Sequence, residues 1–413
     1  MTTQTQNKKA GGAKVPVLRF PEFSGEWEEK QLGGIGNLKN GYAFKSEKYT
    51  ENGRFKVITI GNVKNGKLST EKTSMINDIP KDIQDHQTLV VSDMLVSMTG
   101  NVGRVCLVDE ENCLLNQRVG KIVLTDEQSD PAFIYQKLNI SEFEFRMQSL
   151  AQGGAQGNIS KGDILSFKFF VPYFLEQQKI ADFLGVVDER IEGLAKKKAA
   201  LERYKKGVMQ KIFSQEICFK DESGNSYPDW EEKKLDEVFE ITAGKSKSVH
   251  ITLTGEYIIV DMGGISSDGK FIAKKYTDHA KDFLTTNDLV MPKDDIGGGF
   301  IIGKVARIPE DGKYICGDHI FRLTKKSGDV GYLFYVINSF SISKSFRKKA
   351  NGTAQLGLSK REVENQRIFF PSLPEQQKIA EFLMSLDEKI SAIGNELSCA
   401  KEFKRGLLQQ MFA

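Results

Sequence analysis

The stretch Pro172–Ile191, PYFLEQQKIADFLGVVDERI, returns as Pro371–Ile390, PSLPEQQKIAEFLMSLDEKI, at a constant offset of 199 residues and without a gap. The offset holds further on, where Lys206-Gly207-Val208-Met209-Gln210 and Ile212-Phe213 match Arg405-Gly406-Leu407-Leu408-Gln409 and Met411-Phe412. Leu184, Ile191, Lys198, Lys205 and Ile212 recur every seven residues, interleaved by Val187, Leu194, Leu201 and Val208. The second copy gives Leu383, Ile390, Leu397, Lys404 and Met411 with Leu386, Ile393, Ala400 and Leu407. This period predicts two coiled-coil helices. Roughly 38 residues at about 1.5 Å each span on the order of 57 Å, a rod rather than a core helix. The first helix leaves the first globule and ends at the second, so a symmetric arrangement requires the second helix to run back. An antiparallel pair holding two globules apart is expected, with Lys198, Lys205 and Lys404 softening the middle of the seam. A chain built from two equivalent halves is suited to engage something with two equivalent halves.

Outward from the helices, each half opens with a related phrase, Trp27-Glu28-Glu29-Lys30 with Leu32 and Trp230-Glu231-Glu232-Lys233 with Leu235. Each leads to a Gly-centred turn, Lys39-Asn40-Gly41-Tyr42 and Ala243-Gly244-Lys245-Ser246. The interiors diverge. Short β-rich runs such as Phe55–Ile60 and Tyr257–Val260 alternate with Gly/Asn/Asp turns, with some helix near Pro131–Leu150. The fold class is therefore α+β: two mixed α/β globules in a pseudo-two-fold tandem repeat, joined by two long antiparallel coiled-coil helices. The expected segments are a disordered tail over 1–17, globules over 18–174 and 216–373, and helices over 175–215 and 374–413.

The 413 residues and 39% apolar content are ordinary for a soluble protein, and no run approaches the roughly 18 apolar residues of a membrane span. The polar start lacks the apolar stretch of a signal peptide. Cys106, Cys113, Cys218, Cys316 and Cys399 are scattered, without a C-x-x-C pair, which points to a reducing cytoplasm and no metal. A net charge of +3 conceals many charges of both signs, so attraction to nucleic acid has to come from local patches.

Catalytic constellations fail on physical grounds. Gly298–Val305 has P-loop spacing, yet Val305 stands where a hydroxyl would hold Mg²⁺, and a β-turn is the better reading. Pro228–Lys233 carries an acidic pair and a lysine in one short run, whereas nuclease metal ligands converge from separate strands. His86, His250, His279 and His319 stand without a nucleophile in recognisable context. No Asn-Pro-Pro-aromatic motif occurs. No catalytic residue is assigned.

Several turns instead combine small, amide and cationic residues, the set that serves phosphate oxygens and base edges. Ser97–Arg104 and Asn116-Gln117-Arg118 lie in the first half; Lys293-Asp294-Asp295 with a Gly triplet, and Asp318-His319, hold the corresponding places in the second. Gly153–Lys161 aligns with Gly352–Lys360 at the 199 offset, preceded by Lys344, Arg347, Lys348 and Lys349. For single residues, wetted surface accounts for such turns as well; recurrence in both halves favours function.

With the P-x-x-x-EQQKIA-x-FL-x-x-x-DE helices and W-E-E-K-x-L openings, the chain resembles the specificity subunit of type I restriction-modification systems, over nearly everything after the tail. The resemblance implies two target recognition domains, each reading half of a bipartite double-stranded DNA sequence in the major groove, and helices that set the spacing. It implies two modification subunits that methylate flipped adenine with S-adenosylmethionine, and restriction subunits that add ATP- and Mg-dependent translocation and cleavage. No cofactor belongs to this chain, and no membrane is involved. Candidate DNA contacts are Lys39, Asn40, Tyr42, Lys45, Thr99, Asn101, Arg104, Gln117, Arg118, Gln156, Asn158 and Lys161 in the first half. In the second they are Lys245, Lys247, Lys293, His319, Lys348, Lys349, Gln355 and Lys360. Gln177, Gln178, Gln376 and Gln377 are candidates for partner contact on exposed helix faces. The competing reading is a non-catalytic coiled-coil scaffold bridging two protein partners.

Overall fold

A computed structural model describes residues 15–151, 157–267, 269–296, 298–352 and 356–412. The chain divides into two compact units, Met1–Gly193 with Glu396–Ala413 and Leu194–Asn395. Among the described residues no helix is long and apolar enough to cross a membrane. The two heptad segments are the long helices Phe174–Phe213 and Leu373–Met411.

In the first unit, an antiparallel sheet orders its strands Gly36–Asn40, Val119–Leu124, Met94–Ser97 and Val105–Leu107. A second sheet runs Met75–Ile76, Phe55–Ile58, Cys113–Leu115, Thr88–Leu89, with Cys113–Leu115 parallel to Phe55–Ile58. The opening phrase forms strand Glu28–Gln31, paired antiparallel with Lys168–Val171 in register Glu28↔Val171, directly before the long helix. Helices Pro131–Leu138 and Ser141–Leu150 cover the core. Asp130 caps the former by accepting from Phe133 N at 2.9 Å, with Pro131 at the first helical position where its missing N–H costs nothing.

The second unit repeats this scheme from different residues. Its four-stranded sheet orders Phe239–Ala243, Ile320–Lys325, Asp288–Pro292 and Ala306–Arg307; a three-stranded sheet has Tyr257–Val260 between Lys275–Thr277 and Tyr314–Cys316. Glu231–Lys234 pairs with Arg367–Phe370 in register Glu231↔Phe370, and Glu232 pairs with Arg367 at 2.8 Å. The acidic pair of Pro228–Lys233 therefore lines a strand entrance. Asp329 caps helix Val330–Ile337 through Tyr332 N at 2.8 Å.

Each unit is completed by the end of a long helix. In the first, Leu407, Met411 and Phe412 join Trp27, Phe133 and Leu184 in one core, with the Phe412 and Phe133 rings 5.3 Å apart. In the second, Ile212 and Phe213 join Tyr332, Ile379 and Leu383, with Phe213 6.0 Å from Tyr332. Burying one such aromatic contributes about 1.5–3 kcal/mol.

The heptad positions are all withdrawn from solvent, while Glu189, Arg190, Lys196, Lys197, Glu202 and Arg203 between them are exposed. Within the first unit, Lys404 bonds Asp188 (2.7 Å) and Arg190 meets Glu396 (3.2 Å); within the second, Lys205 bonds both oxygens of Asp387 (2.5 and 2.6 Å). The helix segments in each unit are thus paired, antiparallel in the first where a rising number meets a falling one. Lys205 and Lys404, expected to soften the seam, instead lock it: each reaches across to the aspartate of the D-E phrase. Asp188 also accepts from Gln136 (2.8 Å) and Asp387 from Tyr335 (2.6 Å), so each aspartate ties a long helix to its own globule.

The motif glutamines are also clarified. Gln177 is buried, its amide accepting from Asp130 N (2.9 Å) and donating to Gln128 O and Pro172 O. Gln376 is buried too, accepting from Asp329 N (2.8 Å) and donating to Pro371 O (2.7 Å). Both clamp the loop before the next helix, and neither lies on an exposed partner face; Gln377 is exposed and Gln178 half-buried. The preceding glutamates differ in role. Glu176 takes a fork of two hydrogen bonds from Arg19, each 2.7 Å, while Glu375 accepts from Trp230 Nε1 at 2.9 Å. Burial pushes the Glu375 carboxyl above its ordinary value, and the Trp230 bond opposes that.

Candidate nucleic-acid interface

Four turns of the first unit, distant in sequence, are stitched side by side by backbone hydrogen bonds. Tyr42 N donates to Leu115 O (2.8 Å), Gln117 N to Tyr42 O (2.9 Å), Met98 N to Arg118 O (3.0 Å) and Ile159 N to Met98 O (3.0 Å). Thr99 bridges Asn158. The resulting open pocket, about 370 Å³, is lined by Met98, Thr99, Gln117, Arg118, Asn158 and Ile159. Four of the predicted contacts therefore converge on one depression, with Tyr42 at its edge. Gln117, Arg118 and Asn158 are all exposed at its rim. The Gln117 and Arg118 side chains have no hydrogen-bond or ion-pair partner among the described residues, so an amide and a five-donor guanidinium are left for a ligand.

Other candidates are placed differently. Lys39 and Asn40 end the strand Gly36–Asn40, both exposed, and the Asn40 carbonyl contacts His86 Nε2 at 3.1 Å. Tyr42 donates to Asp82 (2.8 Å), which holds its phenol above the ordinary pKa. Lys45 and Asn101 are exposed on turns. Arg104 is half-buried, its guanidinium 3.3 Å from Glu144, which also accepts from Asn65 and Gln148. Lys161 starts a short helix capped by Ser160, which exchanges hydrogen bonds with Asp163. Gln156 and Gln355 lie outside the described residues.

The second unit builds the same stitching. Lys293 N donates to His319 O (2.8 Å) and Leu358 N to Lys293 O (2.9 Å), while Asp294-Asp295 pairs with Leu356-Gly357. Lys293 thus takes the place of Met98, Asp294 that of Thr99, and His319 that of Arg118. The chemistry is changed. His319 Nδ1 lies 2.7 Å from Asp294 and its Nε2 3.8 Å from Asp318. Where the first unit offers amide and guanidinium donors, the second offers a histidine between two carboxylates.

Lys245 is exposed, whereas Lys247 is paired with Asp282 and holds that carboxyl below its ordinary range. Lys349 donates to Gln366 (2.8 Å), Lys360 sits 3.4 Å from Glu364, and Lys348 is exposed at the end of helix Phe340–Lys349. The Gly298–Val305 run leads into strand Ala306–Arg307, and Lys304 turns inward to Asn338 O and Ser343, so no phosphate loop is formed. Sequence reasoning passed over Met98 and Ile159, and over Asp294 and Asp318 as acceptors. The signal was present for the acids, which adjoin Lys293 and His319 in sequence.

The comparisons with known proteins agree with this architecture. A family model described as the type I restriction modification DNA specificity domain matches residues 24–203 and again 227–398. The MjaVIII specificity subunit of a type I restriction enzyme from Methanocaldococcus jannaschii is 26% identical over 334 residues, 77% of each chain. A putative type I specificity subunit from Mycoplasma genitalium is 24% identical over 401 residues, 94% of each. The crystal structure of a type I restriction-modification S subunit from M. genitalium has the same fold, with a TM-score of 0.64 at 18% identity over 97% of this chain and 99% of that one. A chain from a study of complex assembly and conformational transition in a type I system gives a TM-score of 0.52 at 16% identity, covering 93% and 97%. With the family model matched in both halves and the fold shared along nearly the whole chain, this protein belongs to the type I restriction-modification DNA specificity subunits.

Proposed function

We propose that each unit reads one half of a bipartite double-stranded DNA target through its stitched turns, and that the paired helices fix the gap between the half-sites. The observation that carries this is the repetition of one backbone frame with exchanged side chains: Arg118, Gln117 and Thr99 in the first unit, His319, Asp318 and Asp294 in the second. A constant frame with variable donors and acceptors suits two readers of different sequences. Arg is matched to guanine O6 and N7, Gln to adenine N6 and N7, and carboxylates to the cytosine amino group. Lys39, Lys45, Lys161, Lys245 and Lys348, exposed around these turns, would serve phosphates and fix register.

In this reading the chain brings no cofactor. Two modification subunits dock on it in the cytoplasm and transfer methyl groups from S-adenosylmethionine to adenine; restriction subunits add ATP- and Mg-dependent cleavage. The test is methylation mapping with the chain assembled with its modification subunits. Arg118→Ala should remove about 1–3 kcal/mol of discrimination at one base pair of one half-site and leave the other half-site intact. Exposed-lysine variants should weaken binding uniformly and flatten its salt dependence. Methylation without a bipartite motif, or an Arg118→Ala motif identical to the wild type, would contradict the proposal. Binding to protein partners with no salt-sensitive DNA affinity would return the scaffold reading.

A further inference from the structure

The frames of the two units differ in length beside the stitched turns. Thr99 and Asp294 occupy equivalent ladder positions, and Gly103 and Gly303 are equivalent landmarks further on. Both glycines are left-handed (φ 78° and 70°), and a Cβ on either would strike a helix residue, Met147 or Phe346, at 2.7 and 2.4 Å. Between these landmarks the first unit has Gly100 to Val102; the second has Asp295 to Ile302, five residues more. The insertion projects apolar side chains beside the candidate reader, with Ile296 65% and Phe300 59% exposed. Asp295, Gly299, Phe300 and Ile301 are tied to the fold. The buried Asp295 carboxylate accepts from Ile301 N (2.9 Å), and Arg347 donates to Gly299 O (2.8 Å) with its guanidinium 5.4 Å from the Phe300 ring.

An apolar display fixed by hydrogen bonds is suited to meet an apolar surface. The charges around it select the kind. Lys344, Arg347 and Lys348 on the adjoining helix, with Lys293, outweigh Asp294 and Asp318 and favour a polyanion. Within DNA the apolar surfaces are the thymine methyl and the faces of bases. Resting on the reading of this unit as a DNA reader, we propose that the inserted loop is a specificity element found in the second unit alone, with Phe300 and Ile296 pressed against bases of its half-site and Arg347 setting their pose.

The test uses the full chain assembled with its modification subunits, comparing wild type, Phe300→Ala and Phe300→Ala/Ile296→Ala by methylation mapping and by rates on defined duplexes. Both side chains are exposed, so folding is retained, as thermal unfolding would verify. The expected result is tolerance of other bases at one or two adjacent pairs of one half-site, about tenfold slower methylation of the original site, and an unchanged second half-site. Deoxyuridine in place of thymine at those pairs should reproduce the loss if the methyl group is the contact, and leave it unreproduced if a base face is. An unchanged motif at full rate overturns the proposal, as does an unchanged motif with weaker binding of the modification subunits, which would make the loop a protein contact. A wild-type complex needing only one half-site would overturn the underlying reading of the second unit as well.

Discussion

At the scale of single residues, the motif glutamines show how position decides role. In the helix phrase E-Q-Q, Gln177 and Gln376 stand one heptad before Leu184 and Leu383, in register with the seam, yet as amides ahead of the apolar run they read as solvated. Their register carries the burial, whereas the partners of their amides, the Asp130 and Asp329 N–H groups and the Pro172 and Pro371 carbonyls, are a tertiary fact that periodicity does not carry. Gln376→Ala should leave the Asp329 N–H without its partner and cost about 1–3 kcal/mol, read from the urea midpoint. A variant unfolding at the wild-type midpoint would refute the clamp. Asp126 offers a test by acid. A hydrogen bond from Lys30 (2.9 Å), aided by Gln128 N and Ser129, lowers its carboxyl pKa from 3.8 to about 2. A depressed folded-state pKa means the pair's stabilisation is present above pH 3.8 and is lost as pH falls through about 2. Lys30→Ala should raise the Asp126 pKa toward 3.8, followed by NMR titration.

At the scale of elements, the long helices were the most legible part of the chain, because an apolar period of seven residues fits little besides a helical seam. Their interruption by lysines was not legible. Lys205 and Lys404 look like defects in the seam until the facing aspartates are placed, and an aspartate 182 or 216 residues away gives no local signal. The partners are partly buried, with the lysines 19% and 14% exposed and the aspartates 43% and 38%. Substitution by alanine at Lys404 or Asp188 should each cost about 1 kcal/mol, with a coupling of about 0.5 kcal/mol or more in a double-mutant cycle. Strict additivity would show that the pair does not act as a pair. The inserted loop was hidden for a related reason: the offset of 199 residues relating the helices becomes 195 at Asp294, and only the ladder to Gly357 reveals where it changed.

At the scale of the molecule, the duplicated plan followed from the repeat alone, whereas the surface proposed to read bases did not, since it is assembled from turns near residues 42, 98, 117 and 158 that no single motif joins. The proposed ruler is tested by deleting matched heptads, Glu192–Lys198 with Gly394–Ala400, which keeps the register of the pair. The accepted gap between half-sites should change while both half-sites stay the same; an unaltered gap would remove the ruler. One consequence concerns biosynthesis. Leu407, Met411 and Phe412 belong to the core built on Trp27 and Phe133, so the earliest-made unit stays open, with greasy surface uncovered, until the codons for those three residues have been translated. A ribosome that stops just short of them therefore releases a chain that holds every residue of its second unit, Leu194–Asn395, while the first, begun earliest, still lacks part of its core.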